Sequence, residues 1–237
     1  MSTLQLQRLA NSIHLSLTEA LCGKLEYFAQ QVLSRNAELN LVGPADDSTF
    51  RIKHLLDSLA AIRYLDLKPG MKVLDLGTGA GLPGIPLAIL FPDVEFTLMD
   101  ATAKKIEAVD GFIQKLGLSN VRTVTGRAEE LAHDPAYRED FDRVLSRAVA
   151  PLRVLLELAY PFVHLNGRLA AYKGPEYLNE LLQARNAITS LQAESPQVKL
   201  YSLPEKEGER ACLVFTKHFQ TPARYPRRDG MPAKRPL

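Results

Sequence analysis

Apolar residues in the first 65 positions recur every three or four residues, which is the period of one face of an α-helix. The two clearest series are Leu4, Leu6, Leu9, Ile13 and Leu17, and then Leu21, Leu25, Phe28, Val32 and Leu33. Gly43-Pro44 interrupts the pattern, and a further helix is predicted from about Thr49 to Tyr64. We therefore predict a helical N-terminal extension over residues 1–65.

From Pro69-Gly70 onward, short apolar runs rich in Val and Leu alternate with helical stretches. The runs that we interpret as strands are 72–76, 94–99, 121–125, 143–146 and 168–172. Nearly continuous apolar strands separated by crossover helices predict a parallel sheet with helices on both faces. Residues 197–203 and 210–218 flank a polar loop, which predicts a C-terminal antiparallel hairpin. The pattern thus predicts an α/β domain over residues 66–219.

The last segment, 220–237, is rich in Pro and Arg, so we expect a loose basic tail. The overall charge of +2 is uneven, because the chain from Lys217 onward carries +5 and the rest carries −3. Such a tail favours a phosphate-bearing partner, although basic tails also act as solubility devices. The candidate phosphate-binding cations in it are Arg224, Arg227, Arg228, Lys234 and Arg235.

Composition excludes several classes of protein. A chain of 237 residues with 46% hydrophobic and 24% charged residues is typical of a globular protein. No signal peptide is visible, and no apolar run approaches the roughly 18 residues of a membrane span. Cys22 and Cys212 are far apart, which predicts two buried side chains rather than a zinc site or a disulfide framework. We expect a cytoplasmic protein without a metal or a membrane partner, and nothing in the chain demands a dimer, so we expect a monomer.

The sharpest motif is the glycine-rich turn in VLDLGTGAGLPG, residues 73–84, which follows a predicted buried strand. Gly77, Gly79 and Gly81 allow a sharp turn and a close approach to a ligand. In an open α/β sheet such a ligand lies beyond the carboxyl ends of the strands. The run also matches the dinucleotide fingerprint GxGxxG, so NAD is a competing ligand.

Asp75 favours S-adenosylmethionine over NAD. We expect its carboxylate to point at the mouth of the turn, where it would repel a pyrophosphate and attract an ammonium and a sulfonium. Asp100, after the second strand, is suited to accept both ribose hydroxyls, or else to cap the next helix. After the third strand, the Ala128 amide and Glu129 are candidates for the adenine edge, unless Glu129 merely opens a short helix.

Motifs that the chain lacks argue against several classes of methyl acceptor. Attack on C5 of a pyrimidine needs a cysteine nucleophile, and neither cysteine lies near a strand end. The Asn/Asp-Pro-Pro-aromatic loop common in exocyclic amine methylation is replaced by SRAVAP, residues 146–151. Guanine N7 needs no general base, because its lone pair bears no proton. Arg147 and Lys173 are candidate positioning residues for guanine O6 and phosphates, unless they only form ion pairs at strand ends.

With these residues in view, the chain resembles the bacterial family that methylates guanine N7 in 16S ribosomal RNA, RsmG, also called the glucose-inhibited division protein B family. The similar segments are LNL (39–41), HLLDSL (54–59), DLGTGAGLPGIPLAI (75–89), RAE (127–129), SRAV (146–149), YKG (172–174) and the tail from Tyr225. The glycine run is common to many methyltransferases, whereas its combination with HxxDSL, SRAV and the YPRR tail is specific. Leu82 and Val42 depart from the residues frequent in the family, Phe and Thr.

The resemblance implies a Rossmann-like class I methyltransferase fold with a seven-stranded, mostly parallel sheet. It implies methylation of a guanine in the decoding-region loop of 16S rRNA, and hence the small ribosomal subunit as partner. The cofactor contacts that it implies are Gly77, Leu82, Asp100, Ala101, Thr102, Ala128, Glu129 and Arg147. Our leading hypothesis is therefore an RNA methyltransferase that uses the tail cations, together with cations at the edge of the pocket, to hold phosphates.

Three alternatives stay open at this point. The acceptor can be a protein or a small molecule, or the chain can be a ribosome-assembly factor that binds RNA without catalysis. A nicotinamide-dependent dehydrogenase is the third. His54 and Asp57 share a helix face, where they reach over the ligand or tie the helical extension to the sheet; we favour the tie.

Overall fold

A computed structural model describes residues 2–43 and 46–237. Its N-terminal part is helical, as the period predicted. The helices are α1 (Thr3–Ser12), α2 (Glu19–Leu39), α3 (Asp47–Phe50), α4 (Asp57–Ala60) and α5 (Ile62–Leu65), with a π-helical turn at Arg51–Leu56 between α3 and α4. The predicted break at Gly43-Pro44 falls between α2 and α3, with Pro44 outside the described residues.

Side-chain caps begin the first three helices. Ser2, Thr18 and Asp46 each accept a hydrogen bond from the backbone amide three residues ahead, at 3.2, 3.3 and 2.7 Å. Each bond satisfies one of the amides that a helix leaves without an internal partner. In the π-helical turn that follows α3, Arg51 forms a buried ion pair with Glu26, at 2.7 Å. The pair fixes the π-helical turn against α2.

Within the described residues, seven strands form one sheet. They are β1 (Lys72–Leu76), β2 (Glu95–Asp100), β3 (Val121–Thr125), β4 (Phe141–Arg147), β5 (Val163–Lys173), β6 (Gln197–Ser202) and β7 (Glu209–Thr216). The order is β3-β2-β1-β4-β5-β7-β6, and β7 is antiparallel to both of its neighbours. The α/β fold and the C-terminal hairpin are therefore confirmed.

The remaining helices lie between and after the strands. They are α6 (Gly84–Leu90), α7 (Ala103–Leu116), α8 (Ala128–Leu131), α9 (Leu152–Ala159), α10 (Tyr177–Gln183), α11 (Arg185–Ser190) and α12 (Met231–Lys234). Short 3-10 turns occupy Tyr160–Phe162 and Pro204–Lys206. Strand order reverses on the two sides of β1, so the switch point where such sheets bind ligands lies between β1 and β4.

The helical extension packs on one face of the sheet together with α6 and α7. Phe28 of α2 meets Phe112 of α7 edge to face, with ring centroids 6.0 Å apart. One hydrophobic core joins residues of α1 and α2 to β1 and β2, and a second core lies under α9 on the opposite face. Cys22 and Cys212 are both buried in the first core, as expected for apolar side chains.

Two absences concern the described part of the chain only. None of its helices combines the length and the apolar character that a membrane crossing needs. None of its groups of His, Cys, Asp and Glu side chains is arranged to hold a metal ion.

Candidate active site

The glycine turn joins β1 to α6 at the switch point of the sheet. Gly77, Gly79 and Gly81 have φ angles of 72°, 57° and 87°, in the left-handed region that favours glycine. The amides of Gly77 and Thr78 donate to the carbonyl of Met99 in β2, at 2.8 and 2.9 Å. The turn therefore follows the end of the neighbouring strand and leaves its outer surface open.

Asp100 at the end of β2 holds the turn in place. Its Oδ2 accepts from the Gly79 amide at 3.0 Å, and its Oδ1 accepts from the Thr102 amide at 2.9 Å. Each carboxylate oxygen retains further acceptor capacity, because an ionised carboxylate has about four lone-pair sites. The side chain is only half-buried, so it combines an anchoring role with access to a ligand.

Asp75 does not face the mouth of the turn, and that expectation was wrong. Its side chain is fully buried, and its Oδ2 accepts from Thr78 Oγ1 at 2.7 Å and from the Gly84 amide at 2.8 Å. Burial raises the pKa of this carboxyl to about 6, against the hydrogen bonds from Thr78 and Gly84 that lower it. Asp75 therefore braces the two ends of the glycine turn from inside, and it gives no direct electrostatic reason to prefer one cofactor.

A cavity of about 540 Å³ opens over the glycine turn, within the range of small-molecule sites. It is lined by Leu41, Val42, Gly43, His54, Leu76, Gly77, Thr78, Gly79, Ala80, Leu82, Met99, Asp100, Ala101, Lys105, Gly126, Arg127, Ala128, Glu129, Arg147, Ala148, Val149, Ala150, Val154, Leu158, Pro232 and Ala233. The lining joins the carboxyl ends of the first four strands to the N-terminal extension and the C-terminal segment.

Most of the residues predicted to contact the cofactor lie in this wall: Gly77, Gly79, Leu82, Asp100, Ala101, Ala128, Glu129 and Arg147. Asp75, Gly81 and Thr102 do not line it. Gly81 instead packs against Ile85, where a Cβ would lie 2.5 Å from Ile85 Cδ1. The exposed Thr102 presents its amide to Asp100 and precedes α7. These three residues shape the turn and the start of α7.

Glu129 reaches the C-terminal segment as well as the cavity. Its carboxylate is buried, and Oε1 accepts from the Gly230 amide at 3.1 Å. The neighbouring Arg127 forms an ion pair with Asp229. Since Glu129 is the second residue of α8, it both opens a helix and ties that helix to the end of the chain.

A second cavity of about 520 Å³ adjoins the first. The two cavities share a boundary, which is formed by His54, Arg147 and the loop Ala148–Ala150. Ala148 has a φ of 58°, which is uncommon for a residue other than glycine and turns this loop sharply away from β4.

Arg147 is held from the helical extension. Its guanidinium lies 3.3 Å from His54 Nδ1, 3.4 Å from Asp57 Oδ2 and 3.3 Å from the Lys53 carbonyl. Burial first, and then the positive charge of Arg147, lowers the pKa of His54 to about 4. Asp57 also accepts from the Tyr201 hydroxyl at 2.9 Å. His54 and Asp57 thus tie the extension to the sheet, as we favoured, and in doing so they orient Arg147.

Lys173 was expected to be an accessible cation at the edge of the pocket, but its side chain is largely buried. Its side chain is 8% exposed, and its Nζ donates to the Ala150 carbonyl at 2.8 Å and pairs with Glu180 Oε2 at 2.7 Å. Glu180 of α10 was not singled out from the sequence. Both side chains line the second cavity, because α10 folds back over the end of β5.

The basic tail is not a loose extension. Arg227 makes a bidentate contact with Glu157 of α9, and Tyr225 is buried. Arg138 donates to carbonyls of the tail, among them Thr221 and Tyr225, at 2.8 and 2.9 Å. The composition predicted a loose extension, but these specific partners dock the segment against the domain. Of the predicted RNA-binding cations, Arg224, Arg228, Lys234 and Arg235 are exposed, whereas Arg227 is committed to Glu157.

The comparisons with known proteins decide the family. A family model described as GidB, rRNA small subunit methyltransferase G, matches residues 21–208. The chain belongs to this family. The match spans the glycine turn, Arg147 and Lys173.

Relatives in this family cover nearly the whole chain. A protein of Desulfitobacterium hafniense (strain Y51), named Ribosomal RNA small subunit methyltransferase G, is 42% identical over 90% of this chain and 88% of its own. A protein of the same name from Desulforamulus reducens is 37% identical over 99% of this chain and 98% of its own. The similarity to these relatives therefore extends over at least 90% of the chain.

Solved structures agree on the fold. A SAM-dependent methyltransferase from Aquifex aeolicus superposes with a TM-score of 0.56 over 79% of this chain and 97% of its own, at 16% identity. A structure described as a putative S-adenosyl-L-methionine-dependent methyltransferase from Methanococcus maripaludis superposes with a TM-score of 0.56 at 14% identity. The superposition covers 82% of this chain and 94% of that structure. The fold is accordingly that of the Rossmann-like class I methyltransferases, and the chain is a methyltransferase by family.

Proposed function

We propose that the protein transfers a methyl group from S-adenosylmethionine to N7 of a guanine in the decoding-region loop of 16S rRNA, as a cytoplasmic monomer. The observation that carries this is the first cavity, built at the carboxyl ends of β1, β2 and β4, in a chain of the rRNA small subunit methyltransferase G family. The relatives are named for the ribosomal RNA of the small subunit, and we propose that RNA, within the small ribosomal subunit, as the partner of this chain.

The residues around the first cavity fit this cofactor. The backbone of the glycine turn carries no side chain at Gly77 and Gly79, so a ligand can approach it closely. Asp100 retains acceptor sites for two ribose hydroxyls while it holds the turn. Apolar side chains, among them Leu82 and Met99, also line the cavity and suit a purine. When bound, S-adenosylmethionine supplies an electrophilic methyl group on its sulfonium.

The chain's own residues are suited to positioning rather than to proton transfer. Guanine N7 carries no proton, so the reaction requires alignment more than a general base. Arg147 stands where the two cavities meet and presents a fixed positive charge there. We expect it to donate to guanine O6 or to a phosphate through a charge-assisted bond. His54 stays neutral beside it, because burial and Arg147 lower the pKa of the imidazole to about 4.

The test is to incubate the protein with methyl-labelled S-adenosylmethionine and unmethylated small ribosomal subunits, and then to digest the RNA to nucleosides. Label in 7-methylguanosine is the expected result. Label in another nucleoside or in protein would refute the acceptor and retain the methyltransferase, whereas cofactor binding without any transfer would favour the assembly-factor alternative. Quenching of nicotinamide fluorescence without S-adenosylmethionine binding would favour a dehydrogenase.

A pair of variants tests the cofactor site. Asp100→Asn replaces one acceptor oxygen by an amide that cannot accept from a backbone N–H, so we expect weaker cofactor binding by calorimetry. Asp93→Asn changes an exposed carboxylate shortly before the same strand and serves as the matched control. Equal dissociation constants for the two variants would contradict the proposed role of Asp100.

A further inference from the structure

The second cavity is placed to receive the methyl acceptor. It shares His54, Arg147 and the loop Ala148–Ala150 with the first cavity, so a group seated in it would meet the cofactor across that boundary. Its remaining wall comes from the π-helical turn, α4, β5, α10 and β7, and it includes Lys173, Glu180 and Arg210. A cavity of about 520 Å³ has room for a nucleobase turned out of its stack.

An ion pair lies in the wall of this cavity. Glu180 Oε2 is 2.7 Å from Lys173 Nζ and also accepts from the Leu152 amide at 2.7 Å. Lys173 is in turn fixed by the Ala150 carbonyl at 2.8 Å. Among the described residues, no partner bonds to the second oxygen, Oε1, and the Glu180 side chain is 26% exposed. The pair therefore presents a fixed donor and a fixed acceptor side by side.

This arrangement is complementary to one edge of guanine. Beyond N7, that base presents O6 as an acceptor and then N1–H and the 2-amino group as donors. An ammonium at O6 and a carboxylate at N1–H and the amino group match this order, while N7 faces the first cavity, from which the methyl group comes. Adenine presents the reverse pattern, with an amino group facing the ammonium and the bare N1 facing the carboxylate. A buried polar site left unpaired in this way discriminates strongly against the wrong ligand.

We propose that Glu180, held by Lys173, is the specificity-determining residue that accepts from the Watson–Crick edge of the target guanine in the second cavity. The inference rests on the proposed function and assigns the acceptor half of that site. It gives Lys173 a role different from that of a phosphate contact, because its ammonium is 8% exposed and fixed between Ala150 and Glu180.

The test compares guanosine with inosine, which keeps N7, O6 and N1–H and lacks only the 2-amino group. Small subunits are reconstituted from RNA carrying either nucleoside at the target position, and single-turnover methylation is measured for the wild type and Glu180→Gln. For the wild type, we expect guanosine to react about tenfold faster than inosine, because inosine lacks the hydrogen bond from the 2-amino group to the open oxygen of Glu180. In Glu180→Gln we expect guanosine to slow by about 10- to 100-fold and the guanosine preference to fall below about twofold.

Glu176→Gln is the matched control, because it removes the same charge from an exposed position one turn earlier, at the start of α10. It should retain the wild-type rate and preference. Glu180→Gln slowing guanosine and inosine by the same factor would show a purely structural role and overturn the inference. Equal guanosine rates for Glu180→Gln and the wild type would overturn it also, whereas a wild type that makes no 7-methylguanosine would overturn the proposed function itself. Cofactor affinity, measured in parallel, should be unchanged by Glu180→Gln.

Discussion

Replacing Arg227 by methionine should destabilise the protein through Glu157. Glu157 is fully buried, and its carboxylate accepts three hydrogen bonds from Arg227: from the backbone amide at 2.8 Å, from Nε at 2.8 Å and from Nη2 at 2.7 Å. Arg227→Met removes two of them and leaves a buried charge with only the backbone amide. The same contact is the chief reason that the pKa of Arg227 is raised.

The expected magnitude follows from the burial of Glu157. Removing one partner of a buried ion pair costs about 3–5 kcal/mol, and we take about 3 because the Arg227 side chain is 28% exposed and admits water. In a chain of this size, 1 kcal/mol lowers the Tm by about 2–4 °C. Arg227→Met should therefore lower the Tm by about 6–12 °C in a calorimetric scan at pH 7.

Two companion variants make the measurement specific. Arg224→Met removes an exposed guanidinium that lies 5.0 Å from the Tyr225 ring, and it should shift the Tm by no more than about 2 °C. Adding Glu157→Gln to Arg227→Met removes the buried charge and should recover much of the loss. If Arg227→Met and Arg224→Met lower the Tm equally, then Glu157 does not depend on Arg227 and the reasoning is wrong.

Three further predictions concern the site. Gly77→Ala places a Cβ 2.3 Å from Val149 Cγ2, at a residue whose φ is 72°. We therefore expect the variant to bind the cofactor at least tenfold more weakly in calorimetry. An unchanged affinity would contradict the close packing of the turn. Burial raises the pKa of Asp75 from 3.8 to about 6, so its contribution to stability is full below about pH 4 and is lost as the pH rises through 6. Asp75→Asn should therefore gain about 2 kcal/mol relative to the wild type between pH 4 and pH 7 in denaturant titrations, and a constant difference would refute the shift. The lowered pKa of His54, about 4, predicts a neutral imidazole at pH 6 in an NMR titration; a midpoint above 6 would contradict it.

The strands were the most predictable part of the fold. β1 is a central parallel strand with four of its five residues buried, so it appears in the sequence as a nearly continuous apolar run and was predicted with its observed bounds. β3 lies at the edge of the sheet and is not buried, but its β-branched residues also predicted its observed bounds. β5 is longer than predicted, because Val163–Lys173 includes His164 and Asn166, which interrupt the apolar pattern where the strand leaves the covered part of the sheet. The apolar period and the β-branched residues thus locate the strands, and the predicted bounds fall short where polar residues lie inside a strand, as in β5 and in β4, which begins at Phe141 rather than at the predicted residue 143.

The position of a site residue was predictable only where a special backbone conformation or the end of a strand determines it. The glycine turn is an example of the first case, and Asp100 at the end of β2 is an example of the second. Asp75 is an example of neither, because its position before the turn could not show that its carboxylate bonds inward to Thr78 and Gly84. Glu180 and the C-terminal residues that line the first cavity were not predicted from the sequence. These residues reach the site through contacts with residues distant in sequence, and no local sequence pattern predicts such contacts.

Docking of the C-terminal segment and occupancy of the first cavity are thermodynamically linked. Pro232 and Ala233 complete the cavity wall, and Gly230 bonds to Glu129 in the same wall. A ligand that binds only the docked form must stabilise docking by the same factor by which docking improves its affinity. Backbone amides near residue 230 should consequently exchange with solvent more slowly as the cofactor concentration rises, so the end of the chain reports how full the site is.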